Sequence, residues 1–239
     1  MTSAILLGHG SPCAWSKLDL QDLRCQVAIR LDRPVALGVL EFATQQIPSL
    51  RAAFQSLPRG EPVAAQPLLL FEGLHGGTDM PAAAMQARDQ LGLDVRLGEP
   101  FGDEPRLLDL CTQRLHAVGP RPGDVLLFVG RGTSSPLAMR QTEEVSARLA
   151  RATGFRHAVC HAGISRPDLV DGLRLAIGMG ARRVLALPYL IHGGILVRRV
   201  EEVLALAARH LGVDLFVLPH IGNAPQLVEV VVSRLESLT

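Results

Sequence analysis

The sequence predicts an α/β protein made of two similar, doubly wound, Rossmann-like parallel-sheet domains with a cleft between them. Short, continuous apolar runs rich in Val, Leu and Ile alternate with stretches of helical periodicity. This alternation is typical of strands that are buried on both faces of a parallel sheet. The pattern also occurs twice, at a distance of about 120 residues, and a repeat of that length is a whole small domain.

The repeat is carried by three pairs of segments. They are AILLGHGSP with LLFVGRGTSSP, PLLLFEGLHGGTDM with PYLIHGGILVRRV, and EPRLLDLCTQRL with APQLVEVVVSRL. We therefore predict an N-terminal domain at residues 1–118, which carries the candidate metal histidines, and a diverged C-terminal copy at 124–239. The intervening segment 118–124 has two prolines and two glycines and is the predicted linker.

The elements follow in the order (βα)4 and then (βα)4. Strands are predicted at 4–8, 35–42, 63–71, 95–101, 125–130, 157–163, 184–191 and 215–222. Helices are predicted at 19–31, 105–115, 137–152 and 200–211, and Pro167 is expected in the first turn of another. Right-handed crossovers then place ligands at the carboxyl ends of the strands.

An eight-stranded barrel is the alternative architecture for eight βα units. A barrel of this kind typically has about 250 residues, so the length of 239 residues does not exclude it. The internal two-fold similarity and the linker favour two domains.

Composition excludes several classes of function. The net charge is +1 and aromatic residues make up only 4%, which argues against a nucleic-acid-binding surface. The four cysteines are scattered without a CxxC pair, so neither a zinc ribbon nor a disulfide framework is indicated. No apolar run reaches about 18 residues, and no basic region precedes the first one. We expect a cytoplasmic protein without a membrane partner, and the oligomeric state stays open.

Two histidines and one glutamate are the candidates for metal chemistry. His9 lies between Gly8 and Gly10 directly after the first strand, and His75 lies in a glycine-rich loop after the third. Two neutral imidazoles suit a divalent Co, Ni, Fe or Zn ion and leave coordination positions for a substrate. Glu41 ends an otherwise apolar strand, where desolvation would raise its pKa toward proton acceptance. The alternative is a structural role for each residue, as a loop histidine or as a capping or ion-paired acid.

The second copy contributes a different set of side chains. Arg131 occupies the position of His9, and Arg198 and Arg199 follow the glycine-rich loop of this copy. Guanidinium groups there would recognise a ligand that carries carboxylates. His192, at the end of the seventh strand, is a further residue expected to line the cleft, with a structural role as the alternative. The remaining histidines are interpreted as surface or core residues.

Five motifs in order resemble the sirohydrochlorin chelatase family of the CbiX type over essentially the whole chain. They are LLGHGSP, VLEFA, PLLLF-x-G-x-H-x-x-x-D-x-P, VGRGTSSP and LPYLIHGGILVRRV. The resemblance implies two chelatase-type α/β lobes that insert Co, Fe or Ni into sirohydrochlorin, a step toward cobalamin, sirohaem or a nickel tetrapyrrole. It also implies that His9 and His75 handle the metal, with Glu41 as the cleft glutamate.

From this resemblance we expect a lyase of the ATP-independent chelatase class. The divalent metal is then a substrate and no nucleotide is needed, in agreement with the lack of a Walker A motif. Gly10, Ser11, Arg131, His192, Arg198 and Arg199 are the residues expected to contact the tetrapyrrole. A non-catalytic metal or tetrapyrrole carrier is the first alternative. A hydrolase that uses Ser11 or Ser134 is the second, although the sequence has no GxSxG elbow.

Overall fold

The computed structural model describes residues 2–73 and 78–239, and its strands and helices alternate in the predicted (βα)4(βα)4 order. The elements are β1 Ser3–Gly8, α1 Ala14–Leu31, β2 Val35–Val39, α2 Leu50–Gln55, β3 Pro62–Pro67, α3 Met80–Leu91, β4 Asp94–Leu97, α4 Pro105–Ala117, β5 Asp124–Gly130, α5 Pro136–Thr153, β6 Arg156–His161, α6 Leu169–Gly178, β7 Arg183–Pro188, α7 Ile195–Leu211, β8 Asp214–Val217 and α8 Pro225–Ser237. No helix within the described ranges has the length and apolar character needed to cross a bilayer.

The strands form two separate four-stranded parallel sheets. The strand orders are β2-β1-β3-β4 and β6-β5-β7-β8, so the second sheet repeats the topology of the first. The α/β class with two doubly wound sheets is confirmed, and the single eight-stranded barrel is excluded. In each sheet the direction of strand addition reverses at the first strand of the copy, between β1 and β3 and between β5 and β7. Ligands bind at such reversal points in open α/β sheets.

The chain divides into two compact units. Unit 1 comprises Met1–Gly102 and Asn223–Thr239, and unit 2 comprises Asp103–Gly222. Each unit therefore has the four strands of one sequence copy, but its last helix comes from the other copy: α8 belongs to unit 1 and α4 to unit 2.

Polar contacts hold each exchanged helix in its unit. In unit 1, the side-chain amide of Asn223 donates 2.8 Å hydrogen bonds to the Asp19 carbonyl and to the Asp22 carboxylate on α1. In unit 2, Arg114 on α4 donates to three consecutive backbone carbonyls at residues 219–221. Asp103 also pairs with Arg148 on α5. These contacts stabilise the exchange in both units.

Apolar clusters on the sheets explain where the remaining helices pack. In unit 1, Ile5 and Leu7 of β1 pack with Phe54 of α2 and with Met80 and Ala84 of α3. The matching cluster of unit 2 joins β5, β6 and β7 to apolar residues of α6 and α7. Because the middle strands are buried on both faces, their sequences are continuous apolar runs rather than alternating ones.

Several predicted boundaries are wrong at the carboxyl ends of the strands. β2 ends at Val39 rather than at residue 42, and β3 ends at Pro67 rather than at residue 71. After β3 the apolar run continues because the loop residues 68–71 remain at least partly buried, whereas Glu41 and Phe42 after β2 are exposed. Pro167 is also not in the first turn of α6, because the helix begins after Asp168, whose carboxylate accepts hydrogen bonds from the amides of Val170 and Asp171.

Candidate active site at the strand ends of unit 1

The candidate site lies at the carboxyl edge of the unit 1 sheet, beside the reversal between β1 and β3. His9 is the first residue after β1, and Glu41 is the second residue after β2. The two strands are paired, with Gly8 opposite Val39, so both side chains leave the same edge of the sheet. His75 lies outside the described residues, so its approach to His9 stays a prediction.

Backbone hydrogen bonds join the loops that carry His9 and Glu41. The Leu40 amide donates to the Gly8 carbonyl at 3.1 Å, and the Glu41 amide donates to the His9 carbonyl at 2.9 Å. Gly10 follows with a φ of +91°, and a β-carbon added to it would lie 2.0 Å from the carbonyl oxygen of Glu41. Any side chain at this position would push the loops apart, which explains the glycine.

The His9 ring is oriented by its own loop. Its Nδ1 lies 3.1 Å from the carbonyl oxygen of Gly10. A carbonyl oxygen only accepts hydrogen bonds, so Nδ1 is the donor in this contact, and the neutral ring that makes it has its lone pair on Nε2. A metal-binding histidine commonly donates its second ring nitrogen to an acceptor in this way, and the hydrogen bond orients the ring. The contact of His9 Nδ1 is therefore compatible with a metal ligand at Nε2.

Glu41 differs from its prediction in one respect. Its side chain is exposed, because the chain leaves the sheet at Val39 and turns outward. The expectation that burial would desolvate this carboxylate is therefore wrong. The backbone still fixes the residue beside His9, and Phe42 directly after it has a φ of +56°. Such a conformation is uncommon for a bulky residue.

Ser11 has a structural contact. Its hydroxyl accepts a 3.1 Å hydrogen bond from the Cys13 amide, which shapes the turn into α1. This is a local turn motif, whereas an activated nucleophile needs a base that accepts its proton. The contact gives no support to the hydrolase alternative.

Unit 2 repeats the backbone of this site with different side chains. The Ala162 amide donates to the Gly130 carbonyl at 2.9 Å, and the Gly163 amide donates to the Arg131 carbonyl at 2.8 Å. Arg131 therefore occupies the backbone position of His9, as the repeat predicts, and Gly163 occupies that of Glu41. Arg131 is exposed. At these two positions unit 2 has a cation and a glycine in place of the imidazole and the carboxylate.

His192 follows β7 in unit 2 and is neutral near pH 7. Both of its ring nitrogens are buried and make no hydrogen bond. Burial, together with the nearby His220, lowers the pKa of His192 to about 4. The Ile221 amide donates to the Leu190 carbonyl at 2.9 Å, which brings these two loops together. His192 therefore offers a neutral imidazole rather than a positive charge to any ligand.

Of the histidines that we interpreted as surface or core residues, His161 is a core residue at the end of β6. It is 2% exposed, and burial lowers its pKa, while Glu143 acts in the opposite direction. Its position next to Gly130, where an added β-carbon would lie 3.2 Å from its Nδ1, explains the glycine there. The repeat could have indicated that His161 lies beside the end of β5. Residue 161 pairs with residue 130 in unit 2, just as residue 39 pairs with residue 8 in unit 1.

Arg198 and Arg199 are both exposed, as the fourth and fifth residues of α7. Cations are unfavourable near the N-terminus of a helix, because the helix dipole is positive there. These arginines therefore do not stabilise the helix to which they belong. Their position suits an anionic ligand at the carboxyl edge of the unit 2 sheet.

The described residues form no complete metal site on their own. No group of three or more His, Cys, Asp or Glu side chains within residues 2–73 and 78–239 is placed to hold a metal ion. His9 and Glu41 are inside this range and His75 is outside it, so the predicted ligand set is only partly described.

Comparison with known proteins decides the family. The CbiX family model matches the chain twice, at residues 3–118 and 125–238. This chain belongs to the CbiX family. A sirohydrochlorin ferrochelatase of Priestia megaterium is 30% identical over 181 residues, which cover 73% of this chain and 67% of the relative. A sirohydrochlorin cobaltochelatase of the same organism is 24% identical over 182 residues, which cover 73% of this chain and 60% of the relative.

Solved structures support the CbiX assignment at the level of the fold. One is the sirohydrochlorin chelatase SirB of Bacillus subtilis subspecies spizizenii in complex with cobalt, with a TM-score of 0.81 and 16% identity. The superposition covers 99% of this chain and 94% of the SirB chain. SirB of Bacillus subtilis with Fe³⁺ has a TM-score of 0.82 at 18% identity, with coverages of 99% and 95%.

Proposed function

We propose that this CbiX family member is a sirohydrochlorin chelatase, a lyase that inserts Co²⁺ or Fe²⁺ into the tetrapyrrole without a nucleotide, with Ni²⁺ as a third candidate. The observation that carries the proposal is the 2.9 Å hydrogen bond from the Glu41 amide to the His9 carbonyl. This hydrogen bond supports the proposal because it holds the loop of a histidine, a common metal ligand, against the loop of a carboxylate, a common proton acceptor, at the edge of the sheet where ligands bind in such folds. The similarity to a ferrochelatase and a cobaltochelatase of sirohydrochlorin supports the substrate.

In this mechanism the metal binds through two imidazoles. Nε2 of His9 supplies one ligand, since Nδ1 donates to the Gly10 carbonyl, and His75 supplies the second. Two protein ligands leave most coordination positions to water. Pyrrole nitrogens of the substrate replace these waters one at a time as the ion moves into the ring.

Glu41 accepts protons in the same mechanism. Insertion of a divalent ion removes two N–H protons from the macrocycle, and a positioned base typically contributes about 10²–10⁴-fold to such a step. The exposed carboxylate of Glu41 passes the protons on to water. An imidazole that is not bound to the metal is the alternative acceptor.

Arginines of unit 2 are the proposed partners of the substrate's carboxylates. Arg131, Arg198 and Arg199 are all exposed at the carboxyl edge of that sheet or near the start of the helix that follows it. Guanidinium groups bind carboxylates in a bidentate manner. Gly10 and Ser11 offer backbone contacts in unit 1, and His192 offers a neutral imidazole in unit 2.

The test of this proposal is an assay of metal insertion that is monitored by absorbance. Purified protein is mixed with sirohydrochlorin and Co²⁺ or Fe²⁺, and the initial rates are compared for the wild type, His9→Ala, His75→Ala and, as a matched control, His210→Ala on the exposed end of α7. We expect the first two variants to fall to the rate in buffer and the control to match the wild type. A wild-type rate equal to that in buffer would exclude the enzyme, and binding without turnover would favour a carrier.

A further inference from the structure

We propose that Trp15 and Phe42 form an aromatic contact surface that binds the flat face of the substrate macrocycle at the carboxyl edge of unit 1. The inference rests on the proposed function, because it takes a planar tetrapyrrole as the ligand. It adds two residues that position the substrate beside His9 and Glu41. Trp15 follows the candidate metal ligand at the start of α1, and Phe42 comes directly after the candidate base.

Phe42 has a conformation that its packing does not explain. Its φ of +56° lies in the left-handed region, where a bulky side chain is strained and a glycine is not. Its ring is also 50% exposed, so little apolar burial offsets that strain. Strained residues of this kind cluster at active sites and ligand-binding loops. The residue before it is Glu41, whose amide is held by the His9 carbonyl.

Trp15 is also largely exposed, at the start of the helix that follows the His9 loop. It is the only tryptophan of the chain, it lies in the first turn of α1, and it is 66% exposed. The path from His9 to this helix is short and ordered by hydrogen bonds, from the Cys13 amide to the Ser11 hydroxyl and from the Lys17 amide to the Cys13 carbonyl. These hydrogen bonds therefore fix the backbone of Trp15 close to the loop that carries His9.

The chain segments that lead to the two aromatic residues touch each other. A β-carbon on Gly10 would lie 2.0 Å from the Glu41 carbonyl oxygen, so the chain before Trp15 is in direct contact with the chain before Phe42. Among the described residues only three aromatic side chains are largely exposed, and two of them are at this edge. The third, Phe216, lies on β8 of unit 2.

A planar macrocycle is the ligand that fits such a surface. Aromatic rings contact flat conjugated systems through offset stacking or edge-to-face packing, which adds to the burial of apolar area. The contacts would orient the ring so that its nitrogens approach the ion on His9. They act on the substrate and not on the metal, so their loss should raise KM with little change in kcat and leave metal binding unchanged.

The single tryptophan provides the first readout. Titration of the wild type with sirohydrochlorin, without metal, is expected to quench the Trp15 fluorescence with a saturating curve. The Kd from absorbance and the KM for insertion are then measured for Trp15→Leu, Phe42→Leu and the matched control Phe216→Leu. We expect Kd and KM to rise about tenfold in the first two variants and to stay within about twofold of the wild type in the control.

Phe42→Gly separates a binding role from a structural one. Glycine adopts the left-handed conformation without strain, so this variant should unfold at the same or a higher temperature than the wild type and still bind the substrate about tenfold more weakly. A lower unfolding temperature together with unchanged Kd and KM would overturn the proposal, because Phe42 would then have only a structural role.

The outcomes distinguish this inference from the proposed function. Quenching and weaker binding in both site variants without any turnover of the wild type would support the aromatic surface and contradict the chelatase. Turnover with unchanged Kd and KM in both site variants would contradict the surface and leave the chelatase standing. A wild type that neither binds nor converts sirohydrochlorin would overturn both.

Discussion

The backbone amide of Glu41 donates a 2.9 Å hydrogen bond to the backbone carbonyl of His9. The separation between the candidate base and the candidate metal ligand is thus set by paired loops rather than by flexible side chains. Unit 2 has the same hydrogen bond between Gly163 and Arg131, without either functional side chain. The scaffold of the site has therefore been kept in both copies, while the chemistry that it could support differs between them.

Gly10→Ala is expected to abolish metal insertion. The new β-carbon would collide with the Glu41 carbonyl oxygen at 2.0 Å, and the φ of +91° would be strained as well. We expect a loss of about 1–3 kcal/mol in the free energy of unfolding, measured by urea denaturation, and activity at the level of buffer.

Gly60→Ala is the matched control for Gly10→Ala. Gly60 also has a positive φ, of +79°, but a β-carbon there would meet no atom within 4 Å. This variant should show a smaller loss, from backbone strain alone, and keep its activity. Equal activity in both alanine variants would show that the close approach of the two loops is not needed.

Glu41→Gln tests proton transfer without changing the backbone. The amide that bonds to His9 is retained and the side chain is exposed, so the unfolding temperature should not change. We expect kcat for insertion to fall about 10²–10⁴-fold, while Co²⁺ binding stays within about twofold. Glu229→Gln, on the exposed face of α8, is the control and should match the wild type. A kcat for Glu41→Gln equal to that of the wild type would assign the protons to another base.

The ion pair between Asp124 and Arg183 is expected to be the main electrostatic support of the unit 2 sheet. Arg183 donates to both carboxylate oxygens of Asp124, at 3.0 and 2.6 Å, and the two side chains are only 9% and 2% exposed. Asp124→Asn would leave the buried guanidinium without its counter-charge, at a cost of about 3–5 kcal/mol in the free energy of unfolding. Asp168→Asn, which removes one of the two acid partners of the exposed Arg166, is the comparison. Asparagine keeps the side-chain oxygen that caps α6, so this substitution should cost less than about 1 kcal/mol.

The ion pair of Asp124 and Arg183 also predicts that the protein loses stability at low pH. Burial by itself would raise the pKa of Asp124, but the hydrogen bonds from Arg183 and from the Arg121 amide, with the charge of Arg183, lower it below its ordinary value. The stabilisation is therefore complete above the ordinary carboxyl pKa of about 4 and is lost as the pH falls through the lower pKa of the folded state. Urea denaturation from pH 7 to pH 2 should show this loss in the wild type and a smaller one in Asp124→Asn.

His192 predicts a second, milder dependence on pH. Its pKa is lowered to about 4 by burial and by His220, so the unfolded chain binds this proton more tightly than the folded protein does. Above about pH 6.5, the ordinary pKa of a histidine, the ring is neutral in both states and does not lower the free energy of unfolding. The free energy of unfolding decreases as the pH falls from about 6.5 toward 4. In His192→Phe the free energy of unfolding should decrease less between pH 6.5 and pH 4 than in the wild type. An identical decrease would contradict the assignment.

Removal of residues 223–239 tests the exchange of helices. The deletion takes α8 and the Asn223 contacts away from unit 1, although it removes no candidate site residue. We expect faster amide hydrogen exchange in α1 and β3, on which α8 packs, and loss of metal insertion. Unit 2 should keep its protection. Unchanged exchange in α1 would show that α8 is not needed for unit 1.

The sequence predicts the order of the elements and the two doubly wound parallel sheets, because strands that are buried on both faces are continuous apolar runs. The position of His9 directly after β1 follows from the same pattern. The sequence does not predict the exchange of α4 and α8. The apolar face of α8 shows that the helix is buried, but both sheets offer an apolar face, and the choice depends on tertiary contacts such as Asn223 on α1. The exposure of Glu41 was also missed, since an apolar run does not mark where the strand ends.

The most direct test of the account counts the imidazoles on the metal. X-ray absorption of the protein with one equivalent of Co²⁺ should show two histidine ligands in the wild type and one in each of His9→Ala and His75→Ala, with two retained in His192→Ala. An unchanged number of imidazoles in either His9→Ala or His75→Ala would contradict a shared metal site in unit 1.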